Sequence, residues 1–183
     1  MKFIFTVLLF LPLSLYSQWS QVGNSLYGDA PEDRFGKSIQ FNGDATRVAV
    51  GAYYNDTGGE DAGQVRVFDY DGTDWTQVGE DIYGQNSEDF TGTRVALNDD
   101  GTILAVGIMG FNNRKGRVII YEEINNSWVP LGNPIEGVFN SFFGQQLELN
   151  DDGNILIVAG PSATGNGSEK HCHSQSEYFQ RGI

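Results

Sequence analysis

Four side chains in one short stretch, NDTGGEDAG at 55–63, are the best placed in the chain to hold a hard cation. Asn55, Asp56, Glu60 and Asp61 supply oxygens, and Gly58–Gly59 lets the backbone fold tightly around an ion. Calcium takes about six to eight oxygens, so these residues are the candidate metal ligands and calcium the one candidate cofactor. The competing reading is a solvated acidic loop. It draws on the equivalent stretch FNNRKG (111–116), which is shorter and carries Arg114 and Lys115 in place of acids.

Other constellations point away from chemistry. DYDGTD (69–74) opens like a calcium loop, but its glycine stands fourth rather than sixth and no bidentate Glu follows, so it reads as a turn. His171, Cys172 and His173 are soft ligands, yet a tetrahedral zinc site draws ligands from a second segment and the chain has no other Cys or His. No G-x-S-x-G elbow occurs, and a Ser-His pair would have to borrow a histidine from the tail. The expectation is therefore a protein that is not an enzyme.

The elements that must position these residues are set by export, charge and repetition. MKFIFTVLLFLPLSLYSQ begins with Lys2, runs apolar from Phe3 to Leu13 and ends in small and polar residues, the pattern of a signal peptide spanning 1–17. A membrane span needs about 20 apolar residues, and this run is shorter. The formal net charge of −13 repels phosphate, which excludes nucleic acid and anionic membranes as natural partners. A single cysteine cannot form an intramolecular disulfide, so burial and sheet hydrogen bonds must hold the fold. Aromatics at 13%, 24 Gly and only 5 Pro suit a turn-rich all-β chain.

One phrase occurs three times: WSQVGNSLYG (19–28), WTQVGEDIYG (75–84) and WVPLGNPIEG (128–137). Other landmarks keep the same interval. FGKSIQFN (35–42) corresponds to TGTRVALN (91–98) and FGQQLELN (143–150). RVAVGA (47–52) corresponds to ILAVGI (103–108) and ILIVAG (155–160), and GQVRVFDYDGTDW (63–75) to GRVIIYEEINNSW (116–128). Alternation puts Phe35, Ile39 and Phe41 on one strand face, with Val95–Leu97 and Leu147–Leu149 as counterparts. VAV, LAV and LIV are apolar throughout, as a strand covered on both faces requires. NGDAT, NDDGT and NDDGN supply the tight turns between the first two strands. The repeated Trp at one blade position fits a packing seam, the sugar-stacking platform being the other reading.

Four antiparallel strands per unit of about 50 residues are the pattern of a β-propeller blade. Phe35–Gly36 followed by Val50–Gly51–Ala52 resembles the FG-GAP repeat of integrin α-type propellers, and the order of landmarks over 19–160 is similar to the family's bacterial secreted branch. That resemblance implies a secreted, non-enzymatic binding or adhesion module with an extracellular protein or glycan ligand. It departs from the family at Tyr53, at Ile108–Met109 and at Thr91, and in having short turns where integrin blades carry Asp-rich calcium loops. Structural spacer repeats and the propeller scaffold of a larger secreted enzyme remain the alternatives.

The fold expected is thus all-β, with antiparallel four-stranded blades of an incomplete β-propeller: about two full blades plus partial ones over 18–160. Trp19 opens a fourth strand with no first three before it. From about Lys170 the pattern is lost, and 161–183 read as an irregular tail. Propellers close with roughly four to eight blades, so the chain reads as the N-terminal part of a longer propeller, or as one that self-associates through open strand edges.

Overall fold

A computed structural model describes residues 19–162 and the backbone of 173–180. The expected leader at 1–17 and the pair His171–Cys172 lie outside the described residues.

Local turn chemistry ends each first strand in the same way. The side-chain carbonyls of Asn42, Asn98 and Asn150 accept the backbone N–H of Arg47, Ile103 and Ile155 at 2.8, 2.8 and 2.7 Å. The carboxylates of Asp44 and Asp100 accept the N–H and hydroxyl of Thr46 and Thr102. These bonds hold both carboxyls below the usual range, the threonine hydroxyl contributing most. A left-handed residue completes each turn: Ala45, Gly101 and Gly153 at φ 59°, 74° and 67°.

Between these turns lie three antiparallel sheets. In the first blade β1 (Ser38–Phe41), β2 (Arg47–Ala52), β3 (Gln64–Tyr70) and β4 (Trp75–Gln77) pair in chain order, and β5 (Ile82–Tyr83) returns to pair with the start of β3. The second repeats the pattern with β6 (Thr91–Leu97), β7 (Ile103–Ile108), β8 (Arg117–Glu123), β9 (Trp128–Pro130) and β10 (Ile135–Glu136). The third holds β11 (Gln146–Leu149), β12 (Ile155–Ser162) and β13 (His173–Gln180). The all-β, bladed architecture is the one the repeat implies.

The blades stack face to face, so one sheet's back covers the next sheet's front. Ala49, Val65 and Val67 of the first blade are buried with Val95, Leu97, Leu104 and Val106 of the second. Ala105 and Val118 are buried with Leu147, Leu156 and Val158 of the third. Each fully buried Val or Leu contributes about 1.5–3 kcal/mol, and β7, the central blade's second strand, is buried along its whole length. Tryptophan ties the outer rim. The Trp128 indole N–H donates to the Val78 carbonyl at 3.1 Å, and its ring lies against Gly79; Trp75 lies likewise against Gly23. The seam reading of the repeated Trp describes Trp75 and Trp128.

Glycine sets how close the blades come. Gly92 and Gly144, the second residues of their first-strand motifs, have φ 83° and 90°. A Cβ on Gly51 would lie 2.1 Å from the Gly92 carbonyl oxygen, and one on Gly107 would lie 2.1 Å from that of Gly144. Only glycine lets two backbones approach this closely.

Two expectations are corrected. The 161–183 segment is not an irregular tail throughout, since 173–180 pair along the full length of β12, from Ile155↔Gln180 to Ser162↔His173. Antiparallel pairing satisfies the backbone groups of an edge strand whatever the side-chain pattern, which is why apolar alternation missed it. Trp19 does not open a strand: no residue from 19 to 37 is in a sheet and Trp19 is 99% exposed, since among the described residues no third strand lies beside it. Among the described residues, helix is confined to single turns at Pro31–Asp33 and Phe111–Arg114, the latter with left-handed Asn112 and Asn113.

Gly107→Ala should lower the unfolding free energy by about 1–3 kcal/mol, the usual cost of overpacking. Urea denaturation measures this; an unchanged midpoint would mean the blades do not touch at this carbonyl.

Candidate functional site

Antiparallel order sorts the connections. Turns after the first and third strands of a blade lie at one end, and the second-to-third loops and blade-to-blade links lie at the other. The second end is where sequence varies most, and it holds 53–63, 84–90, 109–116 and 137–143. Parallel bridges from Gly63 to Thr91 and from Gly116 to Phe143 fix each loop against the next blade's link.

The four candidate ligands lie in the first of these loops, but the structure does not gather them. Asn55 is buried; its amide nitrogen donates to Asp33 at 2.8 Å and Asp29 at 3.3 Å, and its oxygen accepts the Thr57 N–H. The Asp56 carboxylate accepts the Asp61 N–H at 2.8 Å. Glu60 is exposed, and only its backbone carbonyl is engaged, by the Glu88 N–H. Among the described residues no three Asp, Glu, His or Cys side chains converge as a metal would need. The Asn55 and Asp56 side-chain oxygens instead accept N–H groups of their own loop.

Asp61 sits at φ 53°, partly buried beside Asp56 and Glu88, and desolvation first and those charges second push its carboxyl above the usual range. A raised acid costs stability wherever it is ionised, above its folded value, and that cost disappears once pH falls below its unfolded value. Asp61→Asn keeps the tolerance for a left-handed backbone and removes the charge. It should raise the melting temperature at pH 7 and lose that gain below about pH 4. Thermal unfolding at both pH values checks this, and a lower melting temperature at neutral pH would contradict it.

Between the second and third blades the loop end opens into a cleft of about 700 Å³, lined by 86–90, 110–114 and 139–140. Its walls combine the amides of Asn86, Asn112 and Asn113 with Glu88, Arg114 and the rings of Phe90, Phe111 and Phe139. The walls are pinned from behind. Asp89 is buried and accepts the Asn86 N–H at 3.0 Å, and its carbonyl accepts the Gly110 N–H. The Arg117 guanidinium stacks 3.3 Å from the Phe111 ring centre, and Phe90 packs on Tyr54 at 5.7 Å. Backbone strain gathers here, with Glu88, Phe90, Asn112, Asn113, Arg114 and Asn140 all left-handed. A cleft of amides, the acids Glu88 and Asp89, the base Arg114 and aromatic rings can hold a polar, extended ligand by hydrogen bonds and stacking.

None of these cleft residues was singled out as a site by the sequence. The available signal was the change from NDTGGEDAG to FNNRKG at one blade position, which marks a loop freed from the repeat.

Residues 27–68 match the family model described as FG-GAP repeat, so the chain carries an FG-GAP repeat in its first blade. No curated protein matches the chain. Among solved structures, TolB from Acinetobacter baumannii is similar with a TM-score of 0.44 and 14% identity over 78% of this chain and 29% of that one. A chain of the complex of KlAtg21 with the coiled-coil of AgAtg16 gives 0.49 and 15% identity over 68% and 37%. The present chain thus spans well under half the length of either. Among the described residues no helix is long and apolar enough to cross a membrane.

Proposed function

We propose that this chain is an exported, non-catalytic propeller module that binds an extracellular protein or glycan at the loop-bearing end of its blades. The observation that carries the reading is the cleft between the second and third blades. It is built from a loop and links of successive blades, lined by amides and rings, and braced from behind by Asp89 and Arg117. Loops on a rigid stack of sheets are where binding residues concentrate. Export is supported by the Lys2-led apolar start, and adhesion by the FG-GAP repeat over 27–68.

Phe139 and Arg114 are exposed and both line the cleft, so substituting them removes contact without emptying a core. An array of glycans and extracellular-matrix proteins should yield a binder whose affinity falls about tenfold or more in Phe139→Ala/Arg114→Ala, the loss of about 1.4 kcal/mol or more. The melting temperature should not change. Binding unaffected by the double substitution, or no binder at all, would count against the cleft. N-terminal sequencing of exported chain should begin at Gln18, and an intact Met1 in secreted material would refute the leader.

A further inference from the structure

The second-to-third loops of the first two blades end on one structural position and fill it with opposite charges. Asp61 stands two residues before Gly63, and Arg114 two before Gly116, the glycines that bridge to the next blade's link. Both are left-handed, at φ 53° and 64°. The Asp61 carbonyl accepts the Phe90 N–H at 3.1 Å, and the Arg114 carbonyl accepts the Phe142 N–H at 2.9 Å. The backbones are therefore equivalent, and only the side chains differ. The first blade places an acid there, beside Asp56 and Glu88; the second places a base on the lining of the cleft.

The fold does not neutralise that base. Arg47, Arg66, Arg94, Lys115 and Arg117 each pair with a carboxylate. Arg114 is exposed, with its guanidinium carbon 5.6 Å from the Phe142 ring centre and no carboxylate partner among the described residues. Asn112 and Asn113 precede it in the same left-handed conformation, at φ 48° and 56°. Three such residues in succession, none of them glycine, are costly for L side chains, and such conformations gather at ligand sites. Here they bring two exposed amides and a guanidinium to one cleft.

Those groups select a class of ligand. A guanidinium is planar, and its paired N–H donors match a carboxylate through two parallel bonds. Amides donate to and accept from hydroxyls, and the Phe139 ring, 78% exposed, offers a flat apolar face. A carboxylate, hydroxyls and an apolar ring face occur together on an acidic sugar. Densely charged ligands fit poorly, because Glu88 and Asp89 share the cleft and the chain carries −13. A peptide needs a strand edge or a pocket for an apolar anchor. The segments 86–90, 110–114 and 139–140 contain no strand, and among the described residues no aliphatic side chain lines the cleft.

We propose that the ligand of this cleft is a glycan whose sugars carry isolated carboxylates, of the uronic or sialic type. Arg114 pairs with the carboxylate, and Asn112, Asn113 and Phe139 hold the ring that bears it. The assignment rests on the cleft being the binding site proposed above.

Isothermal titration calorimetry on the full chain takes tetragalacturonate, tetramannuronate, a hyaluronan hexasaccharide and sialyllactose as probes, which separates the uronic from the sialic source. At least one should bind, and its methyl ester, similar in size but uncharged, should bind at least about tenfold more weakly. Arg114→Gln should lower affinity for the acid to that of the ester, and Arg114→Lys should restore part of the preference. If circular dichroism shows Arg114→Gln misfolded, the comparison of acid and ester on wild type carries the test alone. No binding by any of the four acids, an ester bound as tightly as its acid, or a folded Arg114→Gln that keeps the preference would each overturn the proposal. If a neutral glycan or a protein then proves to be the ligand lost in Phe139→Ala/Arg114→Ala, the cleft stands as the binding site and only the acidic sugar falls. If no ligand depends on the cleft, both readings fall.

Discussion

The contact of one blade's backbone with the next, Gly51 against Gly92 and Gly107 against Gly144, is the constraint on which the remaining structure depends. It brings carbonyl oxygens to a distance that any side chain would forbid. The seam around these contacts is filled by buried aliphatic side chains: Val65 and Val118, the cross-strand partners of Gly51 and Gly107, lie at the glycine contacts, and Ala49 and Ala105 are buried in the same two clusters. The positive φ of Gly92 and Gly144 belongs to the same device, because the strand must turn its carbonyl toward the neighbouring blade. A fold built this way needs no disulfide, and none is open to a chain with one cysteine.

Because each blade is positioned by its neighbour, loops at one end are carried into fixed relation without contributing to the core. The Gly63–Thr91 and Gly116–Phe143 bridges pass the register of one sheet into the link of the next. The cleft between the second and third blades follows from this arrangement, and its chemistry is free to vary while the seam stays constant. Its strained residues are mostly Asn and Glu in exposed loops, at the end where the sheets impose no pattern.

Much of this was legible in sequence because repetition converts weak motifs into strong ones. Strand pairing, the burial of Val95, Leu97 and Leu147, and the packing of Trp75 and Trp128 all follow from the period and the alternation. The cleft was not legible, since Phe90, Phe111 and Phe139 come from three segments that alternate with nothing and meet only after stacking. The loop 55–63 shows a different limit: its composition suits calcium, but composition carries no direction, and in the structure the Asn55 and Asp56 oxygens accept the N–H groups of Thr57 and Asp61. Strand β13 was missed because main-chain pairing leaves no mark in side-chain pattern.

Amide hydrogen exchange followed by mass spectrometry on the intact chain tests most directly whether blade stacking sets the stability. Strands β6 and β7, covered on both faces, should exchange only through global unfolding, the slowest in the molecule. Strand β1, with Ile39 and Phe41 uncovered, should exchange markedly faster although its hydrogen-bond ladder to β2 is regular. Equal protection of β1 and β6 would contradict the account, because it would mean that a covering blade adds nothing to the strand beneath it.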